Sequence, residues 1–131
     1  MKVLALDFGR ARTGVAVSDP TGMLARPLCV VERAATDDGL KRIADLAAEH
    51  NAERIVVGLP LTMRGERGEQ AQETERFVQR LSARVDVPVV TFDERFTTDL
   101  AQQTPSHSGE DARAAAHLLS SYLAWSSGAR A

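Results

Sequence analysis

A carboxylic acid closing a buried strand limits what this chain can fold into more than any other feature. Val3-Leu4-Ala5-Leu6 reads as an apolar strand, and Asp7 then interrupts it before Phe8. An ionised carboxylate is costly to bury unless a cation or hydrogen bonds compensate, so Asp7 calls for a metal, a basic side chain or backbone donors. The next residues narrow the choice. Asp7-Phe8-Gly9-Arg10-Ala11-Arg12-Thr13-Gly14 combines the acid with a glycine turn carrying two arginines, and a second apolar run, Val15-Ala16-Val17, follows. Acid, flexible backbone and positive charge at one hairpin suggest a site that handles phosphate.

The rest of the chain alternates between strand and helix patterns. Residues 2–8 and 13–19 form the expected hairpin, Asp19-Pro20-Thr21-Gly22 supplies a turn, and a third apolar run at 27–32 completes an antiparallel meander. Leu40, Ile43, Ala44, Leu46 and Ala47 recur at helical spacing after Thr36 or Asp37, either of which can cap. Arg54-Ile55-Val56-Val57-Gly58-Leu59-Pro60 reads as a buried strand stopped by its glycine and proline. A polar segment from Thr62 to Glu69 leads to a helix with Ala71, Thr74, Phe77, Val78 and Leu81 on one face, and Val87–Phe92 repeats the strand pattern. Strand, helix, strand in this half requires right-handed crossovers and parallel pairing. The expectation is an α/β fold with a five-stranded mixed sheet, its first three strands antiparallel and the later ones parallel, flanked by helices. Residues 102–110 carry nothing that builds a core and read as a loop, and a last helix spans about Glu110 to Trp125. Residues 1–131 then make a single domain with a frayed tail at 126–131.

Chain totals restrict the function classes. At 131 residues one domain can bury roughly two-thirds of its unfolded surface. The single cysteine, Cys29, has no intramolecular partner, which fits a reducing compartment. No apolar run approaches the roughly 20 residues that span a bilayer, and the N-terminus enters a strand pattern directly, so a cytoplasmic protein without membrane contact is expected. A formal net charge of −2 argues against a general nucleic-acid coating but not against a local basic site. Arg10, Arg12, Arg64 and Arg67 fall in turns or loops where forked guanidinium groups can reach phosphate oxygens. Arg42, Arg76, Arg80 and Arg84, on helix faces, read as solvated charge.

Two further acids stand where they are not needed for solubility. Glu94 or its neighbour Asp93 follows the last strand, and Asp111 lies at the start of the final helix on the same face as Ala115, Leu118 and Tyr122. Neighbours on extended backbone point to opposite sides, which leaves Asp93 and Glu94 evenly matched. Sites in open sheets form at the carboxyl ends of parallel strands. Hard oxygen ligands without a Cys/His set favour Mg²⁺ or Mn²⁺, and paired divalent ions about 3.5–4 Å apart activate water for phosphodiester cleavage. A nuclease is the activity these acids suit. Taken alone, Glu94 also reads as a surface residue and Asp111 as a helix first-turn acid.

Five segments occur in an order that resembles the YqgF/RuvX family, a compact branch of the ribonuclease H-like superfamily. They are Asp7-Phe8-Gly9, then Thr13-Gly14-Val15-Ala16-Val17-Ser18-Asp19, Val56-Val57-Gly58-Leu59-Pro60-Leu61, Asp93-Glu94-Arg95-Phe96-Thr97-Thr98, and Asp111 with Ala114-Ala115 and Leu119-Ser120-Ser121-Tyr122-Leu123. The resemblance covers nearly the whole chain. It implies a ribonuclease H-like fold and a cytoplasmic nuclease processing the 5′ end of pre-16S rRNA. It also selects Glu94 over Asp93, giving Asp7, Glu94 and Asp111 as catalytic and metal-binding acids for Mg²⁺ or Mn²⁺. Arg10, Arg12, Arg64, Arg95 and Thr98 are the candidate nucleic-acid contacts, with RNA precursor or branched DNA as partner and a monomer or homodimer as the acting form. Two departures from the family bear on substrate grip: Thr98–Asp111 is short and nearly uncharged, and Thr62 and Arg64 stand where Asn and Asp are common.

Other functions remain open. Resolution of four-way DNA junctions uses clustered acids on the same kind of fold, and a non-catalytic RNA-binding assembly factor could retain the acids without turnover. The Asp-x-Gly hairpin also resembles the first phosphate loop of actin-like ATPases, but those need two lobes and this length provides one. His107 reads as an exposed loop residue, and His50 and His117 have no evident acid–base partner. Tyr122 and Trp125, at helical spacing, read as core or interface.

Overall fold

The computed structural model describes residues 1–96 and 108–128. Its elements run β1 (Val3–Asp7), β2 (Arg12–Ser18), β3 (Ala25–Glu32), α1 (Asp37–Glu49), β4 (Arg54–Leu59), α2 (Glu69–Ser82), β5 (Val89–Asp93), a 3-10 turn (Glu94–Phe96) and α3 (Ser108–Gly128). The five strands form one sheet in the order β3-β2-β1-β4-β5. β1 pairs antiparallel with β2 and β2 with β3, whereas β1–β4 and β4–β5 are parallel. This is the mixed sheet expected from the sequence.

Period-two alternation divides the strand side chains between two cores. Leu4, Leu6, Val15, Val17, Ile55 and Val57 face α1 and α2, where Leu40, Ile43, Leu46, Phe77 and Leu81 meet them. Val3, Ala5, Ala16, Val56 and Phe92 face α3 and pack on Ala115, Leu118, Leu119 and Tyr122. Burying a side chain of the Leu, Ile or Phe class contributes roughly 1.5–3 kcal/mol, so these two layers supply most of the driving force for sheet and helices alike. The small residues Ala5 and Ala16 on the second face let α3 approach the sheet closely.

Local signals explain the boundaries. Thr36, not Asp37, caps α1, its Oγ1 accepting from the Gly39 amide at 3.1 Å. The helix ends with Asn51 in the left-handed region (φ 54°), and the Ala52 and Asn51 amides donate back to the Ala47 and Ala48 carbonyls in a Schellman arrangement. After β2, the Asp19 carboxylate accepts from the Leu24 and Met23 amides and the Thr21 hydroxyl, which holds its pKa down at about 2 and fixes the turn. Pro27 is tolerated because β3 is an edge strand, where a register shift between Val15 and Ala16 accommodates it.

Several boundaries differ from the sequence reading. Gly58 does not stop β4 but lies within it, paired with Phe92. β3 begins at Ala25 rather than 27, because the Asp19 turn delivers the chain into pairing with Ser18. α3 starts at Ser108 and continues to Gly128, so its first turn takes residues assigned to a loop and its last takes part of the expected tail. No helix among the described residues is long and apolar enough to cross a membrane.

Candidate active site

The alternation that builds the second core also carries Asp7 to the α3 face, one step beyond Val3 and Ala5. It stands opposite Gly14 on β2. On the other side, the parallel register pairs Leu6 with Val57, so Gly58 is the next residue along β4 beside Asp7. A glycine therefore flanks Asp7 on each neighbouring strand, and a remote acid closes over each glycine. A β-carbon on Gly14 would collide with the Asp111 carbonyl oxygen of α3, and one on Gly58 would stand 2.5 Å from Glu94 Oε1 and 2.9 Å from its Cγ. Without side chains at these two positions, α3 and the 3-10 turn can reach the end of β1. The sequence reading assigned neither glycine a role in the site, although a glycine inside a strand pattern signals a close approach.

Asp7 and Glu94 lie close enough to interact directly, and both are partly buried. Burial is the main cause that lifts the Glu94 pKa to about 8; the Asp7 charge, the hydrogen bond to Asp7 and the Asp93 charge act in the same direction. Burial also raises Asp7, offset by the hydrogen bond from Glu94, and the Asp111 charge raises it further. The physical reading is one proton held between two carboxylates, resident on Glu94. Asp93, by contrast, points away. Its carboxylate chelates Arg95, with Oδ2 2.9 Å from Nε and 2.6 Å from Nη2, and this pairing lowers its pKa. The two adjacent acids that sequence could not separate are thus divided by backbone alternation.

Asp111 lies on the inward side of α3 and its side chain is about one-quarter exposed. Its Oδ2 is 3.2 Å from Arg12 Nε, yet that buried oxygen accepts no hydrogen bond. The contact is a charge pair with poor alignment. Arg10 is held more firmly: its Nε and Nη2 both reach the Glu73 carboxylate of α2, the shortest approach being 2.6 Å. Folding supplies each arginine with an acid from a distant element, Glu73 of α2 for Arg10 and Asp111 of α3 for Arg12. Arg64 is exposed in the β4–α2 loop, and Arg95 lies against the same loop, its Nη1 3.2 Å from the position a β-carbon on Gly65 would take. Thr98 and His107 lie outside the described residues.

Among the described residues no group of three or more His, Cys, Asp or Glu side chains is arranged to hold a metal ion. The donor chemistry nonetheless fits a hard divalent cation. Two partly buried carboxylates whose ionisation is disfavoured, beside a third with an unsatisfied buried oxygen, form a site whose charge a cation would neutralise and whose lone pairs it would occupy.

A family profile described as "RuvX: Holliday junction resolvase" matches residues 1–125. A protein of Chloroflexus aurantiacus named "Putative pre-16S rRNA nuclease" is 46% identical over 101 residues, covering 77% of this chain and 66% of its own length. The chain thus spans about two-thirds of that relative. A protein of Desulforamulus reducens with the same name is 35% identical over 132 residues, covering 94% of this chain and 96% of its own. Among solved structures, a RuvC from T. thermophilus in complex with Holliday junction substrate superposes with a TM-score of 0.64 at 18% identity, covering 98% of this chain and 97% of that one. The fowlpox virus Holliday junction resolvase gives 0.52 at 11% identity over 96% and 99% of the two chains. At these identities the structural likenesses establish the fold, the ribonuclease H-like one expected from the resemblance.

Proposed function

This chain belongs to the RuvX family, and from that membership and its acid cluster we propose that it is a divalent-metal-dependent nuclease hydrolysing phosphodiester bonds in an rRNA precursor. The observation that carries the reading is geometric: Gly14 and Gly58 flank Asp7, and over them close Asp111, with its unsatisfied oxygen, and Glu94. A structural carboxylate pair would be placed where it could be solvated or met by arginine. Here the nearby arginines leave Asp7 and Glu94 to each other.

Asp7, Glu94 and Asp111 are the residues that would hold Mg²⁺ or Mn²⁺, which when bound supplies an activated water and charge stabilisation at the leaving oxygen. Glu94 must lose its proton for the site to present its full negative charge. Asp111 would exchange its poorly aligned contact with Arg12 for the site, and the Arg12 guanidinium would then turn toward a phosphate oxygen. Arg64 and Arg95, in loops after the carboxyl ends of β4 and β5, and Thr98 would hold the flanking backbone. Arg10, its charge balanced by Glu73, would contribute less to net attraction than exposed Arg64. The names of the relatives favour ribosomal RNA as substrate.

The family profile's own description supports a second reading, resolution of four-way DNA junctions. Cleavage of a panel comprising single-stranded RNA, ribosomal precursor, duplex DNA and four-way junctions, each with Mg²⁺, Mn²⁺, Ca²⁺ or chelator, separates the two. Cutting of the precursor that chelation abolishes and Mg²⁺ or Mn²⁺ restores is expected, with Ca²⁺ giving little turnover. Symmetric cutting of junctions without RNA cleavage would move the assignment to the resolvase.

A further inference from the structure

On the opposite face of the sheet from the three acids, a cavity of about 290 Å³ opens between the first hairpin turn and α2. Phe8, Gly9 and Arg10 line it on one side, Pro60 at the end of β4, and Gln70, Glu73 and Thr74 along α2. Small-molecule pockets run from roughly 300 to 1,000 Å³, so this volume suits a fragment rather than a length of chain. Phe8 is immobilised by stacking on Phe77, ring centroids 4.4 Å apart at 17°, which makes it a rigid apolar wall. Phe8 also directly follows Asp7, and adjacent Cα atoms are about 3.8 Å apart. A strand whose backbone reaches the acids can therefore turn a neighbouring group over the sheet edge into the cavity.

Charge decides what that group is. Glu73 and Arg10 neutralise one another across the cavity mouth, so the site offers no net attraction for phosphate. Two apolar walls and a neutral ion pair suit an uncharged planar ring. Two polar groups remain to orient it: no described residue hydrogen-bonds the Gln70 side-chain amide, and Arg10 uses only Nε and Nη2 on Glu73, leaving Nη1 with its hydrogens unspent. An amide presents one acceptor and two donors side by side, the pattern that reads a base edge.

We propose that this cavity binds one nucleobase of the substrate strand, flanking the scissile phosphate, with Gln70 reading its edge and Arg10, oriented by Glu73, bordering it. The site rests on the nuclease reading for its substrate, but its occupancy can be measured without cleavage. Fluorescently labelled single-stranded RNA homopolymers of A, C, G and U are bound to the wild-type protein in chelator, and to Gln70→Leu and Gln70→Trp, with thermal melts confirming that both exposed substitutions fold. A parallel cleavage assay uses RNA of random sequence with Mg²⁺ or Mn²⁺.

Wild-type protein should bind the four polymers unequally. Loss of one or two neutral hydrogen bonds in Gln70→Leu should level that preference by roughly tenfold, and Gln70→Trp, which fills the cavity, should weaken all four. Unequal binding that Gln70→Leu levels, with no cleavage in any metal, supports the cavity while removing the nuclease reading. Cleavage that proceeds with affinity and base preference unchanged in both variants overturns the cavity and leaves that reading intact.

Discussion

Burial and the Asp7 charge make ionisation of Glu94 expensive, and burial with the Asp111 charge does the same to Asp7. Asp7→Asn removes one charge from a repelling pair at almost constant volume. Cleavage should fall by at least about a hundredfold if Asp7 is a metal ligand, while the melting temperature holds or rises. Undiminished turnover by the purified variant would remove Asp7 from the chemistry. Glu94 gives a pH-dependent counterpart. Its pKa is raised from an ordinary 4.5 to about 8 in the folded protein, so between those values the native state holds a proton that the unfolded chain has released. The stability this provides is complete below about pH 4.5 and is lost as pH rises through about 8. Metal-free protein should therefore denature more readily at pH 9 than at pH 6, and Glu94→Gln should flatten the difference. Equal urea midpoints for wild type at the two pH values would contradict the shared proton.

At the level of elements, two glycines let a helix and a turn close over the end of β1, and they differ in what an added methyl would meet. At Gly14 it meets backbone, the Asp111 carbonyl, which α3 can relieve only by moving as a body. Gly14→Ala should cost roughly 1–3 kcal/mol by overpacking and reduce activity with it, since displacing α3 displaces Asp111. At Gly58 the methyl meets the Glu94 side chain, which can swing aside. Gly58→Ala should melt within a few degrees of wild type yet lose most of its cleavage. Melting temperatures and initial rates measured together distinguish the two, and a Gly58→Ala protein with full activity would show that the Glu94 carboxylate need not stay over that glycine.

Over the whole molecule, a net charge of −2 must be reconciled with a polyanionic substrate. Folding answers by pairing: Glu73 neutralises Arg10, Asp93 neutralises Arg95 and Asp111 stands by Arg12; under the proposed function, a cation taken up by the acids would add the missing attraction. Exposed Arg64 is the guanidinium best placed to act as an independent phosphate contact. Arg64→Ala should weaken RNA binding similarly across sequences and reduce the slope of log affinity against log salt by about one. An unchanged slope would return Arg64 to ordinary surface charge. Metal should also raise the melting temperature of the wild type, because ligand binding to the native state alone stabilises it, and Asp7→Asn should blunt that rise.

Sequence by itself determined the elements and the sheet. Apolar runs with period two, helical faces at three and four residues, and the demand that βαβ crossovers be right-handed left little choice of topology, and the acid ending the first strand was visible because no core has a use for it. The tertiary structure decided what those acids face. Whether Asp93 or Glu94 turns inward depends on which side of the sheet β5 presents at its end, a parity set by packing Phe92 on Tyr122 rather than by the neighbouring residues. The resemblance had selected Glu94, and the structure sets Glu94 beside Asp7 while Asp93 chelates Arg95. Likewise, the partners of Arg10 and Arg12 lie 63 and 99 positions along the chain, Glu73 on α2 and Asp111 on α3. Pairings of that kind are absent from any local pattern, because charge acts through space and only the folded backbone fixes which charges meet.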